Sequence, residues 1–214
     1  MSRYFGEQGL VVHDPAEIGG KSSIGNLTHG FDYLGYIFTG ELISVRRASI
    51  HRVEASLARS FTRYKKSLVS PERTRSTPAV ARCQWYVNLT ITGCTYKGAN
   101  RGWVQYFRQM NDLVLLKKLD ATVARFVWRF QMPPEFQPKS FMRAYWAIRH
   151  QTGKHAGYVP NFDLYTVSDM RSALRDIGGE SWTDKLSDDE VELQFQRVIG
   201  NAVSSLEKDV GARS

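Results

Sequence analysis

The chain has 214 residues, a hydrophobic fraction of 42% and an aromatic fraction of 12%, enough to build a core of its own. No apolar run approaches the roughly 20 residues of a membrane span, and the opening MSRYFGEQGL lacks the apolar stretch of a secretory signal. These features exclude a membrane partner and predict a cytoplasmic protein. The net charge of +8 favours a polyanion partner.

In chain order, YFGEQGLVV predicts a helix end and a short strand, and DPAEIGGKSSIGN a loop rich in Gly and Ser. Residues 31–38, inside GFDYLGYIF, predict one strand by alternation. TGEL then predicts a turn and ISV a second strand, together a hairpin. Within GGKSSIG, Gly-Lys-Ser is not a phosphate loop, because the earlier glycine that such a loop requires upstream of the lysine is missing.

Residues 47–68 predict an amphipathic helix about 30 Å long. Ile50, Val53, Leu57, Phe61, Tyr64 and Leu68 share one face, and Arg52, Arg59, Arg63 and Lys66 the opposite one. Glu54 is the one acid in that span, so the basic row is not an alternating, self-neutralised surface. SPERTRSTP at 70–78 reads as a linker that adds Arg73 and Arg75. Residues 79–97 fit strand or helix. Residues 101–130 predict a long helix on Trp103, Phe107, Met110, Val114, Leu116, Leu119, Val123, Phe126 and Phe130, ended by MPPEFQP. Helices follow over 139–150, over TVSDMRSALRDI to Gly178–Gly179, and from Ser187 onward.

Charge divides the chain. Residues 46–160 hold 21 of the 29 Lys and Arg with five acids, whereas residues from 161 onward hold 11 acids and six bases. The predicted organisation is therefore a mixed segment 1–45, a basic helical region 46–160 and an acidic helical tail 161–214. The predicted fold class is α+β, mostly α. Cys83 and Cys94 read as reduced, partly buried thiols. The five histidines form no compact ligand pattern.

FDYLGYIF resembles the Phe-x-x-Leu-Gly-Tyr strand of prokaryotic reverse transcriptases, the group that includes retron, group II intron and defence-associated enzymes. The downstream RGWVQYFRQMNDLVLLKKLD resembles the thumb of that family, and the pieces occur in the same order over about residues 5–130. The resemblance implies that Tyr33, Leu34, Gly35 and Tyr36 form a primer grip. It also implies that Arg52, Arg59, Arg63, Lys66 and Arg101 contact nucleic acid. Aromatic faces suit a primer end held without regard to base identity, and Gly35 permits close backbone approach. Tyr33 and Tyr36, three apart in one strand, are expected on opposite faces. The implied partners are RNA and DNA as a primer–template duplex.

The family's catalytic aspartates, including the pair in a YxDD turn, are missing from the sequence. The sole Asp-Asp pair, Asp188–Asp189, follows Ser187 and suits a helix N-terminus instead. The metal-binding palm and the fingers are expected upstream of Met1 or on a separate palm and fingers chain, so Mg²⁺ would enter only with that palm. Lys21 matches a segment where the family can carry a general acid, but reads here as an exposed loop lysine. No catalytic residue is assigned. Two other readings share the cationic centre: a freestanding nucleic-acid-binding protein that never catalyses, and a decayed fragment.

Overall fold

The computed structural model describes residues 29–69, 79–150 and 157–211. The readings over 1–28, Lys21 among them, and over the linker at 70–78 lie outside the described residues. Three short strands come first: β1 Phe31–Tyr33, β2 Tyr36–Thr39 and β3 Leu42–Val45, antiparallel in the order β1-β2-β3. The single strand expected over 31–38 is thus two strands. Leu34 and Gly35 both take positive φ, 49° and 85°, the backbone of a two-residue hairpin turn. Alternation continues across such a turn, so period alone could not reveal it.

Helix α1, Arg47–Val69, follows β3 directly. Val53, Leu57, Phe61 and Tyr64 are buried as expected, but Leu68, in the last turn, is 47% exposed. Phe61 sits among the rings of Phe126, Phe130 and Phe136, with centroids 5.4–5.5 Å away. Full burial of such a side chain contributes about 1.5–3 kcal/mol. Beside this stripe, Ser49, Ser56 and Ser60 are also buried. Their small side chains admit a second layer of helices to the flank of α1.

Residues 79–97 resolve into helix α2, Ala79–Thr92, and strand β4, Cys94–Tyr96, which pairs with β5, Ala99–Arg101. The β-branched run at the end of α2 is helical because tertiary packing overrides local preference. Val87, Leu89 and Ile91 are buried, and the Thr90 and Thr92 hydroxyls donate to the carbonyls of Tyr86 and Asn88 one turn back.

The long helix expected over 101–130 is broken. A short helix α3, Trp103–Tyr106, gives way to an irregular stretch before α4, Leu113–Arg129. The break is chemical. Asn111 donates its N–H to the Ile43 carbonyl and its side-chain oxygen accepts from the Ile43 N–H, so it serves the sheet rather than a helix. Asp112 then caps α4 by accepting from the Leu115 N–H.

Helix α5, Phe141–Arg149, is started by Ser140 and by Asp120, whose carboxylate accepts from the Ser140 hydroxyl and the Phe141 and Met142 N–H groups. A 3₁₀ turn at Phe162–Leu164 leads to α6, Val167–Gly178, α7, Glu180–Thr183, and α8, Asp188–Val210. Both long tail helices open with capping boxes, Thr166/Asp169 and Ser187/Glu190, as the sequence predicts for Ser187.

Two cores result. One joins α1 to α5 around Phe61, Trp103, Phe107 and Leu119. The other joins the tail, through Phe162, Phe195, Ile199 and Leu206, to Leu89 and Cys94 of the preceding region. The charge boundary near 160 therefore crosses a shared core. Cys83 and Cys94 are free and buried, and burial pushes both thiols up to about 12. The architecture is α+β, mostly α. No helix among the described residues is long and apolar enough to cross a membrane.

Candidate nucleic-acid interface

The aromatic hairpin is built around its turn. Its register pairs Phe31 with Phe38 and Tyr33 with Tyr36. Directly paired residues share a sheet face, so all four aromatics lie on one side; the expected opposition of Tyr33 and Tyr36 does not occur. Phe31 stacks on Phe38 at 4.7 Å. Tyr36 meets Phe107 edge-on at 5.1 Å.

A reciprocal clasp fixes the tip. The Tyr36 hydroxyl donates to the Tyr106 carbonyl at 2.8 Å, and the Tyr106 hydroxyl donates to the Leu34 carbonyl at 3.3 Å. Burial raises the Tyr36 phenol above its ordinary range. Where Gly35 would carry a Cβ, the Phe107 ring stands at 3.3 Å, so the close approach made by this glycine is to the ring. Tyr33 and Leu34 are each 63% exposed. A leucine with φ of 49° at an exposed tip is uncommon, and conformations of this kind cluster at functional sites. Across the sheet Asp32 pairs with Arg46, and the Ser44 hydroxyl donates to Asp112 at 2.7 Å.

These contacts separate the two tyrosines. Tyr36→Phe is expected to lower stability by about 1 kcal/mol through loss of one hydrogen bond. Tyr33→Ala is expected to leave thermal unfolding nearly unchanged and to weaken binding of a primer–template by about 1–3 kcal/mol if its ring stacks on a base. Parallel melting and fluorescence titration check both. A Tyr33→Ala protein that melts early but binds normally would remove this residue from the interface.

On α1, Arg52, Arg59, Arg63 and Lys66 are all exposed and lie in one row about 21 Å long at 1.5 Å per residue. The row is not uniform. Arg59 pairs with Asp209 of α8 at 3.4 Å and donates to the Ser56 hydroxyl at 2.9 Å. The Asp209 side chain is only 5% exposed. Burial raises its carboxyl, and Ser56, Arg59 and, more weakly, Arg52 oppose that rise. Among the described residues, Arg52, Arg63 and Lys66 have no ion-pair partner.

Arg101 stands apart from both groups. It ends β5, is half-buried and pairs with Glu207 of α8. It lines an open cleft of about 1000 Å³ between the β4–β5 turn and α8, together with Lys97, Tyr106 and Arg197. The sequence reading assigned no role to Lys97, Tyr106 or Arg197. Tyr106 was visible within RGWVQYF, but its bond to Leu34 depends on the hairpin turn. The fold thus gathers the tip residues and, separately, the α1 row, while Tyr106 joins the tip to the cleft holding Arg101.

Among the described residues no cluster of three or more His, Cys, Asp or Glu side chains is arranged to hold a metal. Asp188 pairs with Arg171 at 2.8 Å in the first turn of α8, which Ser187 caps. Compared with known proteins, the chain matches no family model, no curated protein and no solved structure.

Proposed function

We propose that this chain is the nucleic-acid-gripping part, primer grip and thumb, of an RNA-directed DNA polymerase of the prokaryotic reverse-transcriptase type. A separate palm and fingers chain would supply the catalytic carboxylates and their Mg²⁺. The partners are an RNA template and a DNA primer, and the setting is the cytoplasm.

The observation that carries this reading is the exposed row Arg52, Arg63 and Lys66, which offers three cations along one helix without ion-pair partners among the described residues. Spaced over about four turns, such cations suit phosphates, which position a duplex without reading its sequence. The exposed Tyr33 and Leu34 at a rigidly clasped tip support a role at a strand end, where base stacking tolerates any base.

The test is a primer extension assay with an RNA template, a DNA primer, Mg²⁺ and deoxynucleotides, run beside a binding titration of the same primer–template. The purified chain is expected to bind the hybrid and to leave the primer unextended. Extension above a heat-inactivated control would place the catalytic centre within this chain. Failure to bind the hybrid at low salt would overturn the gripping role.

A further inference from the structure

We propose that the cleft between the β4–β5 turn and α8 binds single-stranded nucleic acid that continues from the hairpin tip. This inference rests on the gripping reading and extends it to a second surface. The cleft has a volume of about 1000 Å³. Lys97, Asn100, Gln196, Arg197 and Asn201 line it and are exposed. A site for an apolar small molecule would instead be enclosed and lined mainly by buried apolar side chains.

The chemistry of the lining selects the ligand. Lys97 and Arg197 stand on opposite walls, one on the β-turn and one on α8. The one acid in the lining, Glu207, is occupied by Arg101. Tyr106 is 40% exposed and offers a ring. A cationic groove with an aromatic face is the general arrangement for single strands. Asn100, Gln196 and Asn201 add amides that both donate and accept. Such groups match the Watson–Crick edges of bases, and those edges are free only on unpaired nucleotides.

The walls are firmly held. The Asp163 carboxylate accepts from the N–H groups of Lys97 and Gly98 at 2.7 and 2.8 Å, fixing the turn. Tyr96 donates to the Gln196 carbonyl, tying the hairpin to α8. The bond from Tyr106 to Leu34 places the mouth of the cleft beside the exposed tip.

The experiment titrates oligothymidylate of about a dozen nucleotides, within the usual size of single-strand sites, and a blunt RNA–DNA hybrid at several salt concentrations. The proteins are wild type, Lys97→Gln/Arg197→Gln and, as a control pair on α4, Lys117→Gln/Lys118→Gln. Loss of two phosphate contacts should reduce the oligothymidylate salt slope by about 1.4 units. The hybrid slope should stay unchanged, and so should both slopes in the control. An unchanged oligothymidylate slope in the cleft variant, or an equal drop in the control, overturns the proposal. Absence of hybrid binding by the wild type overturns the gripping reading instead, and the oligothymidylate arm still reports on the cleft.

Discussion

A variant carrying Arg52→Gln, Arg63→Gln and Lys66→Gln is expected to lose about 2.7 units from the slope of log affinity against log salt on an RNA–DNA hybrid, at about 0.9 per phosphate contact by the duplex-DNA coefficient. The three positions are exposed, and none has an ion-pair partner among the described residues. Exposed charges of this kind contribute little to stability, so unfolding should barely move. Arg59 is left in place for a structural reason. It is the ion partner of Asp209, whose side chain is 5% exposed. Arg59 is itself exposed, but removing it leaves the buried Asp209 carboxylate short of a hydrogen-bond partner, at a cost of about 1–3 kcal/mol.

The full row is therefore tested by adding Arg59→Gln together with Asp209→Asn. This removes the pair at once and should take the loss toward about 3.6 units if Arg59 also meets a phosphate. A three-fold variant that melts normally and keeps the wild-type slope would show a row that is merely solvated, and the gripping assignment would fall with it.

The contrast between Arg59 and its neighbours illustrates what the sequence could and could not supply. Periodicity places all four cations on one face of α1, and they are there. Periodicity cannot show that α8, more than 100 residues later, delivers Asp209 to the middle of the row. The break between α3 and α4 is partly legible: Phe107 and Met110 fall on one helical stripe, Leu116 and Leu119 about 180° round from it, and Val114, which would continue the first stripe, is 60% exposed. The interruption comes from Asn111, whose backbone and side chain are spent on Ile43, 68 residues upstream.

Caps were more legible, because their chemistry is local. Ser187 and Thr166 do what Ser and Thr before an acid three residues on are expected to do. The two tight hairpins were harder. Leu34–Gly35 and Lys97–Gly98 each place a non-glycine residue at positive φ, which composition alone argues against. Only the following glycine hints at the turn. The cleft had no sequence signal at all, since Lys97 and Arg197 are 100 residues apart and meet through the second core.

That cleft depends on one crossing of the backbone, and the second large effect is expected there. Gly102→Ala should lower stability by about 3 kcal/mol or more. Gly102 has φ 109° and ψ 167°, a conformation that in practice only glycine adopts. A Cβ at this position would also stand 2.6 Å from the Cα of Gly93, where α2 hands over to β4. Backbone cannot swing aside as a long side chain can. The next residue, Trp103, is 1% exposed and donates its indole N–H to the Ser49 hydroxyl of α1 at 3.1 Å, so any shift at Gly102 is passed to the main core. It also passes to Arg101 and the cleft wall on the other side. Gly98→Ala is the matched control. It shares a positive φ, 69°, but nothing lies within 4 Å of its would-be Cβ. It should cost about 1 kcal/mol, the backbone penalty alone. Chemical denaturation of the two variants beside wild type measures the difference. Equal losses would mean that the Gly93–Gly102 crossing tolerates a methyl group, and that the RGW turn is held by Trp103 rather than by the close approach of two glycines.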